Sequence, residues 1–174
     1  MTTFLDYNLS NDLMKSLKNL KFHKPTEIQE KTIPIALNHN DVLASAEDAA
    51  KSIGVDVGSI AKSLVFRIGG KPVMALISGN SRCNIKTLHT VFGLSKPAKS
   101  VDAAFVKKYT GFSIGGVAPV AHLHQIPIAI DVNLGRFSTI YAAAGHPHCV
   151  FSTNLTELRH LTRGVLSDKI GLNN

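Results

Sequence analysis

Lys62-Ser63-Leu64-Val65-Phe66-Arg67-Ile68, the turn Gly69-Gly70-Lys71, and Pro72-Val73-Met74-Ala75-Leu76-Ile77 decide the fold. Two apolar runs rich in β-branched residues flank paired glycines, which supply the positive φ a tight hairpin requires. Upstream, Ser45 followed by Glu47, Asp48 and Ala49-Ala50 starts a helix that closes at Gly54. Downstream, Asn84 to Phe92 reads as a short amphipathic helix ended by Gly93. Asp102 caps another, ended by Gly111 after the basic Lys107-Lys108 turn. Ile126 to Val132, Arg136 to Tyr141 and His148 to Phe151 read as strands, and Asn154 to Leu161 as a last helix with Glu157 in capping position. Grouped strands interrupted by single helices predict an α+β fold: a mixed, mainly antiparallel sheet, barrel-like, with surrounding helices. Before Ser45 the pattern is helical only. Ser10 caps a stretch over 10–20 with Leu13, Met14, Leu17 and Leu20 on one stripe, and Thr26 to Leu37 is a second helix interrupted at Pro34.

The 174 residues are 44% hydrophobic and 18% charged, enough apolar content to bury a core and too much for disorder. No run approaches the ~18 apolar residues of a membrane helix. The opening residues lack the basic and apolar regions of a secretion signal. Two cysteines, Cys83 and Cys149, are too few for a disulfide scaffold. Together these predict a cytoplasmic protein. The net charge is +7, and residues 1–44 carry five lysines against five acids. The excess therefore lies in residues 45–174, with 14 Lys and Arg against 7 Asp and Glu, which suits either a polyanionic partner such as RNA or a generically basic surface.

Several patterns bear on chemistry. Gly58-Ser59-Ile60-Ala61-Lys62-Ser63 lacks the second glycine of a phosphate-binding loop. His122-x-His124 and His146-x-His148 pair imidazoles without the further ligands that complete a metal set, so no metal or other cofactor is expected. Cys149 beside His148 is a poor nucleophile–base pair, since adjacent strand residues point to opposite faces. Gly115-Gly116-Val117-Ala118-Pro119 is either a tight turn at a sheet edge or a loop whose backbone N–H groups approach an oxyanion. Lys62 is either a solvated lysine or an electrostatic clamp beside that loop. Asp131, at the tip of an apolar strand, needs a partner.

Five ordered motifs resemble the YbaK/prolyl-tRNA synthetase-associated family of aminoacyl-tRNA editing domains over residues 45–170. They are Ala46 to Gly54, Ile60 to Phe66, Tyr109 to Pro119, Ile130-Asp131 and Ile140 to Gly145. The resemblance implies an aminoacyl-tRNA deacylase. Such an enzyme hydrolyses the ester of mischarged tRNA, typically tRNA for proline carrying a small non-cognate residue such as Cys, Ala or Ser/Thr. It also implies the acceptor end of tRNA as partner, association with prolyl-tRNA synthetase, and neither metal nor membrane. By the same resemblance Lys62 is the catalytic pocket lysine. Gly115, Gly116, Val117, Ala118 and Pro119 supply the loop around the aminoacyl ester, and Asp131 and Gly145 line the cleft. The expected alternative is a non-catalytic tRNA-binding module with an incomplete pocket. Residues 1–44 resemble something else, the start of DEAD-box RNA helicases with the adenine-reading Q motif: Phe22-His23-Lys24-Pro25-Thr26-Glu27-Ile28-Gln29. No Walker A loop follows Ala44, so Gln29 has no phosphate loop to work with and no ATP binding is expected. The resemblances divide the chain into a helical appendage, 1–44, and an editing domain, 45–174.

Overall fold

The computed structural model describes residues 45–147 and 149–173, together with 3–7, 9, 14, 15, 17, 18, 23–25 and 30. The chain falls into two compact units, Met1–Val42 and Leu43–Asn174. In the first, a 3-10 turn over Phe4–Tyr7 buries Phe4 and Tyr7, and the Asp6 carboxylate accepts the Thr3 backbone N–H at 2.7 Å. That bond holds the Asp6 carboxyl below its ordinary value. Met14, Lys15, Leu17, Lys18 and Glu30 are helical, while most of the helices read over 10–20 and 26–37, including Gln29, lies outside the described residues.

In the second unit α1 (Ala46–Ile53) begins on a complete capping box: the Asp48 N–H donates to Ser45 Oγ at 3.1 Å and the Ser45 N–H to the Asp48 carboxylate at 3.3 Å. Gly54 closes it in the left-handed conformation. The hairpin follows as β1 (Ile60–Ile68) and β2 (Lys71–Ser78), antiparallel from Ala61 opposite Ser78 to Ile68 opposite Lys71. Gly69 at φ 59° and Gly70 at φ 88° form the type I′ turn that suits the right-handed twist of the strands. The remaining elements are β3 (Ser81–Cys83), α2 (Ile85–Val91), β4 (Ala98–Ser100), α3 (Ala103–Thr110), β5 (Ile128–Asp131), β6 (Ile140–Ala143), β7 (Val150–Thr153), α4 (Leu155–Thr162), β8 (Val165–Ser167) and β9 (Gly171–Asn173).

The main sheet runs β7-β6-β1-β2-β5-β8, with β4 added on β1, and β3 pairs with β9 separately. It is mixed: β1–β2, β1–β4 and β6–β7 are antiparallel, whereas β1–β6, β2–β5 and β5–β8 are parallel. Helices cover both faces, so β2 is an unbroken apolar run instead of an alternating one. Met74 and Leu76 join Val106, Val117, Ile130, Ile140 and Leu158 on one face. Val73, Ala75 and Ile77 join Phe66, Leu88 and Ile170 on the other. Several boundaries differ from the sequence reading: β1 starts at Ile60 instead of Lys62, and the strand read over Ile126 to Val132 is confined to Ile128–Asp131. Arg136 ends a 3-10 turn, Val132–Arg136, capped by Asp131, and the strand starts at Ile140. The strand read from His148 starts at Val150, with His148 itself outside the described residues.

Candidate functional site

Along one edge β1 is paired with β2 from Ala61 to Ile68. Along the other it meets β6 only at Ile60–Ala61 and β4 only at Phe66–Ile68. Among the described residues the stretch 62–65 therefore has a bare edge. Because Ile68 and Lys71 close a two-residue I′ hairpin, even-numbered residues of β1 direct their N–H and C=O toward β2. Those of Ser63 and Val65 point into the gap. A cavity of about 470 Å³ opens over this edge, walled by β1 from Ile60 to Phe66, by Ser45 to Glu47 and Ala49 around the start of α1, and by Val101 and Val106. Ile114, Gly115, Val117, Ala143, Pro147, Cys149 and Val150 complete it.

Lys62 is the ammonium of this cavity. Its Nζ donates to the Ser81 carbonyl at 2.6 Å. Burial pushes its pKa below the ordinary lysine value, with Arg82 adding to that and Glu47 and Cys83 opposing it. Among the described residues one of its three N–H donors is thus committed and two are left for a ligand. The Ser81 carbonyl is in turn fixed by β3, which is held by β9 through Ser81–Asn173, Arg82–Leu172 and Cys83–Gly171. Cys83 beside it is a thiol whose pKa burial pushes up to about 11.

Of the glycine–proline loop, Gly115 and Val117 reach the cavity wall, while Gly116, Ala118 and Pro119 are buried behind it. The Gly116 N–H is spent on the Ser113 carbonyl at 3.1 Å. A Cβ on Gly116 would stand 2.8 Å from the backbone of His146–Pro147, so its missing side chain is what lets the loop lie against that turn. Gly145, at φ 93°, sits in the same turn against Phe112 and does not itself line the cavity. Asp131 is fully buried, and it too lies off the cavity wall. Its Oδ1 accepts the Asn133 N–H at 3.0 Å, and its Oδ2, pressed against Gly171 of β9, is buried with no hydrogen-bond partner among the described residues.

Two residues of the cavity, Ser63 and Glu47, escaped sequence reading, and a third, Cys149, was set aside by it. Ser63 lines the cavity and buries a hydroxyl that has no hydrogen-bond partner among the described residues; its signal was a polar residue inside an apolar strand. Glu47, at the first turn of α1, reads as a cap-region acid until the fold brings it toward Lys62. Cys149 is exposed at the cavity. The histidines pack instead: His122 Nε2 bonds to the Ala118 carbonyl at 2.7 Å, and the His124 ring meets the edge of Tyr109. Among the described residues no group of three or more His, Cys, Asp or Glu could hold a metal, and no helix is long and apolar enough to cross a membrane.

Residues 40–161 match the aminoacyl-tRNA editing domain family. YwhH of Bacillus subtilis is 34% identical over 116 residues, 66% of this chain and 73% of that protein. EbsC of Enterococcus faecalis, which carries the name of a Cys-tRNA(Pro)/Cys-tRNA(Cys) deacylase, is 33% identical over 103 residues, 58% of this chain and 62% of its own length. A crystal structure described as a trans-editing enzyme for prolyl tRNA synthetase superposes with a TM-score of 0.70 at 30% identity, covering 84% of this chain and 95% of that one. Similarity of another kind is found to the ATP-dependent RNA helicase drs1 of Aspergillus clavatus, 29% identical over 137 residues, 78% of this chain but only 16% of that protein.

Proposed function

Because the chain belongs to the aminoacyl-tRNA editing domain family, we propose that it hydrolyses the ester of mischarged tRNA, and that the tRNA is one for proline carrying a small non-cognate amino acid. Supporting this reading above all is a cavity of about 470 Å³ that Lys62, a partly desolvated lysine held on the Ser81 carbonyl, helps to line. The volume is that of a small-ligand site. In it the aminoacyl group lies against Val65, Val106 and Val117, and the two free N–H donors of Lys62 meet the ester or the ribose hydroxyl. Water, or a thiol or hydroxyl of the substrate, attacks the carbonyl carbon; the acyl C–O bond breaks and the ribose oxygen leaves with a proton. The negative charge developing on the carbonyl oxygen is met by the Lys62 charge and the backbone of Gly115 and Val117. Gly116, Ala118, Pro119 and Gly145 shape that loop from behind. Asp131 acts at a remove, by seating β9 and through it β3 and the Ser81 carbonyl. Prolyl-tRNA synthetase would supply the mischarged tRNA.

The test is deacylation of tRNA for proline charged separately with cysteine, alanine and proline, by the full chain and by Lys62→Ala. Release of a non-cognate residue with Pro-tRNA spared, and its loss in the variant, supports the reading. Equal turnover by Lys62→Ala would overturn the role of the lysine. Stoichiometric tRNA binding without release by the unaltered chain would make it a binding module.

A further inference from the structure

Residues 57–101 contain seven lysines and arginines and no Asp or Glu. The fold gathers part of this excess at one place. Two hollows, of about 310 and 860 Å³, meet at the Gly69–Gly70 turn and share Gly69 and Lys96. Arg67, Lys96 and Lys99 line the first, Lys71, Lys96 and Arg163 the second, and among the described residues no carboxylate lines either. All five side chains are exposed. Arg67 and Lys99 stand directly opposite each other across the β1–β4 pair, a juxtaposition of like charges that opposes folding. The rim is continuous with the cavity. Phe66 opposite Ser100 belongs to the cavity wall, and the next pair along the ladder is Arg67 opposite Lys99. From Lys62 to Arg67 is five strand residues, about 16 Å. At ~3.4 Å per stacked nucleotide that is four or five nucleotides from the ester.

We propose that Arg67, Lys71, Lys96, Lys99 and Arg163 form the docking surface for the backbone phosphates of the tRNA acceptor arm whose 3′ end enters the cavity. The proposal rests on the editing reading for the occupant of the cavity, and on charge and geometry for the rim. The Lys107-Lys108 pair is the other candidate grip, but it lies on α3, where the Lys108 ammonium sits 5.4 Å from the Tyr109 ring centre.

The experiment measures binding of uncharged tRNA for proline against salt, alongside hydrolysis of two substrates: aminoacylated tRNA and a short aminoacylated oligonucleotide ending in CCA. Five phosphate contacts give a log–log salt slope of about −3.5 to −4.5. Lys96→Glu/Lys99→Glu, and the milder Lys96→Gln/Lys99→Gln, should flatten that slope by at least about 1.4. They should also raise KM for tRNA at least about tenfold and leave the short substrate unaffected; Lys107→Glu/Lys108→Glu should change none of these. An unchanged slope in the rim variants, or an equal loss in the α3 variant, would overturn the proposal while the editing reading stood. If the unaltered chain cleaves neither substrate, the editing reading fails, and the slope with uncharged tRNA still decides whether the rim holds phosphates.

Discussion

Lys62 carries a charge in a place that resists it, and its partner there is a single carbonyl oxygen. Lys62→Met keeps the aliphatic stem and exchanges one hydrogen bond for relief from desolvation. Its stability should stay within about 1 kcal/mol of the parent while deacylation is lost, as read by thermal unfolding beside turnover. The pH dependence has a definite sign. Folding lowers the lysine pKa from 10.5, so the folded state releases its proton first. The unfolded chain then binds more protons between the two values, and stability rises with pH across that window. The Met variant should lack this rise. Cys149 and Cys83 should separate just as clearly. Cys83, with its pKa pushed up to about 11, stays a protonated thiol, whereas Cys149 is exposed. Iodoacetamide at neutral pH should label Cys149 alone and block the cavity, and Cys149→Ser should resist inactivation. Labelling of Cys83 at a comparable rate would contradict the burial described here.

The shortest elements do the positioning, and they were the least visible in the sequence. β3, β4, β8 and β9 are three residues each, too short for any periodicity to register. The helices begun by Ser45, Asp102 and Asn154 were legible because each carries its own cap, with side-chain bonds to the third residue on at 3.1, 2.8 and 2.9 Å. A strand of three residues has no such local signature and exists only because a partner lies beside it. Gly171 tests this element. A Cβ there would stand 2.6 Å from Asp131 Cγ, in a site with no room to yield. Gly171→Ala should therefore destabilise by about 1–3 kcal/mol and reduce kcat through displacement of β3 and the Ser81 carbonyl, whereas Leu172→Ala, half exposed, should do neither. At the end of α4 Arg163 holds a left-handed conformation, φ 53°, that glycine adopts freely. Arg163→Gly should leave the chain as stable or about 0.5–1 kcal/mol more so, and should still bind tRNA less tightly if its charge serves the rim.

For the whole molecule, the site is a consequence of how the sheet is completed. β6 and β4 each stop short on β1, and the interval they leave bare becomes the cavity. Its valine and alanine walls set a limit on size. Esters of cysteine, alanine or serine should be hydrolysed at least about tenfold faster than those of phenylalanine or leucine on the same tRNA, since each excess methylene must displace packed core. Equal rates would mean that the aminoacyl group lies outside this cavity. The sequence alone determined the hairpin, three capped helices, a mixed sheet flanked by helices, the basic excess beyond residue 45, and the motifs that mark the family. Those rest on local patterns: turn glycines, caps, and apolar runs whose period or continuity reports burial. Only the tertiary structure decided that Ser63 and Cys149 border the same cavity as Lys62, that Asp131 and Gly145 lie outside its wall, and that five cations from three separated segments line two adjoining hollows. Each of these depends on strand order and on where a ladder ends, and long-range pairing leaves no mark in any short stretch of residues.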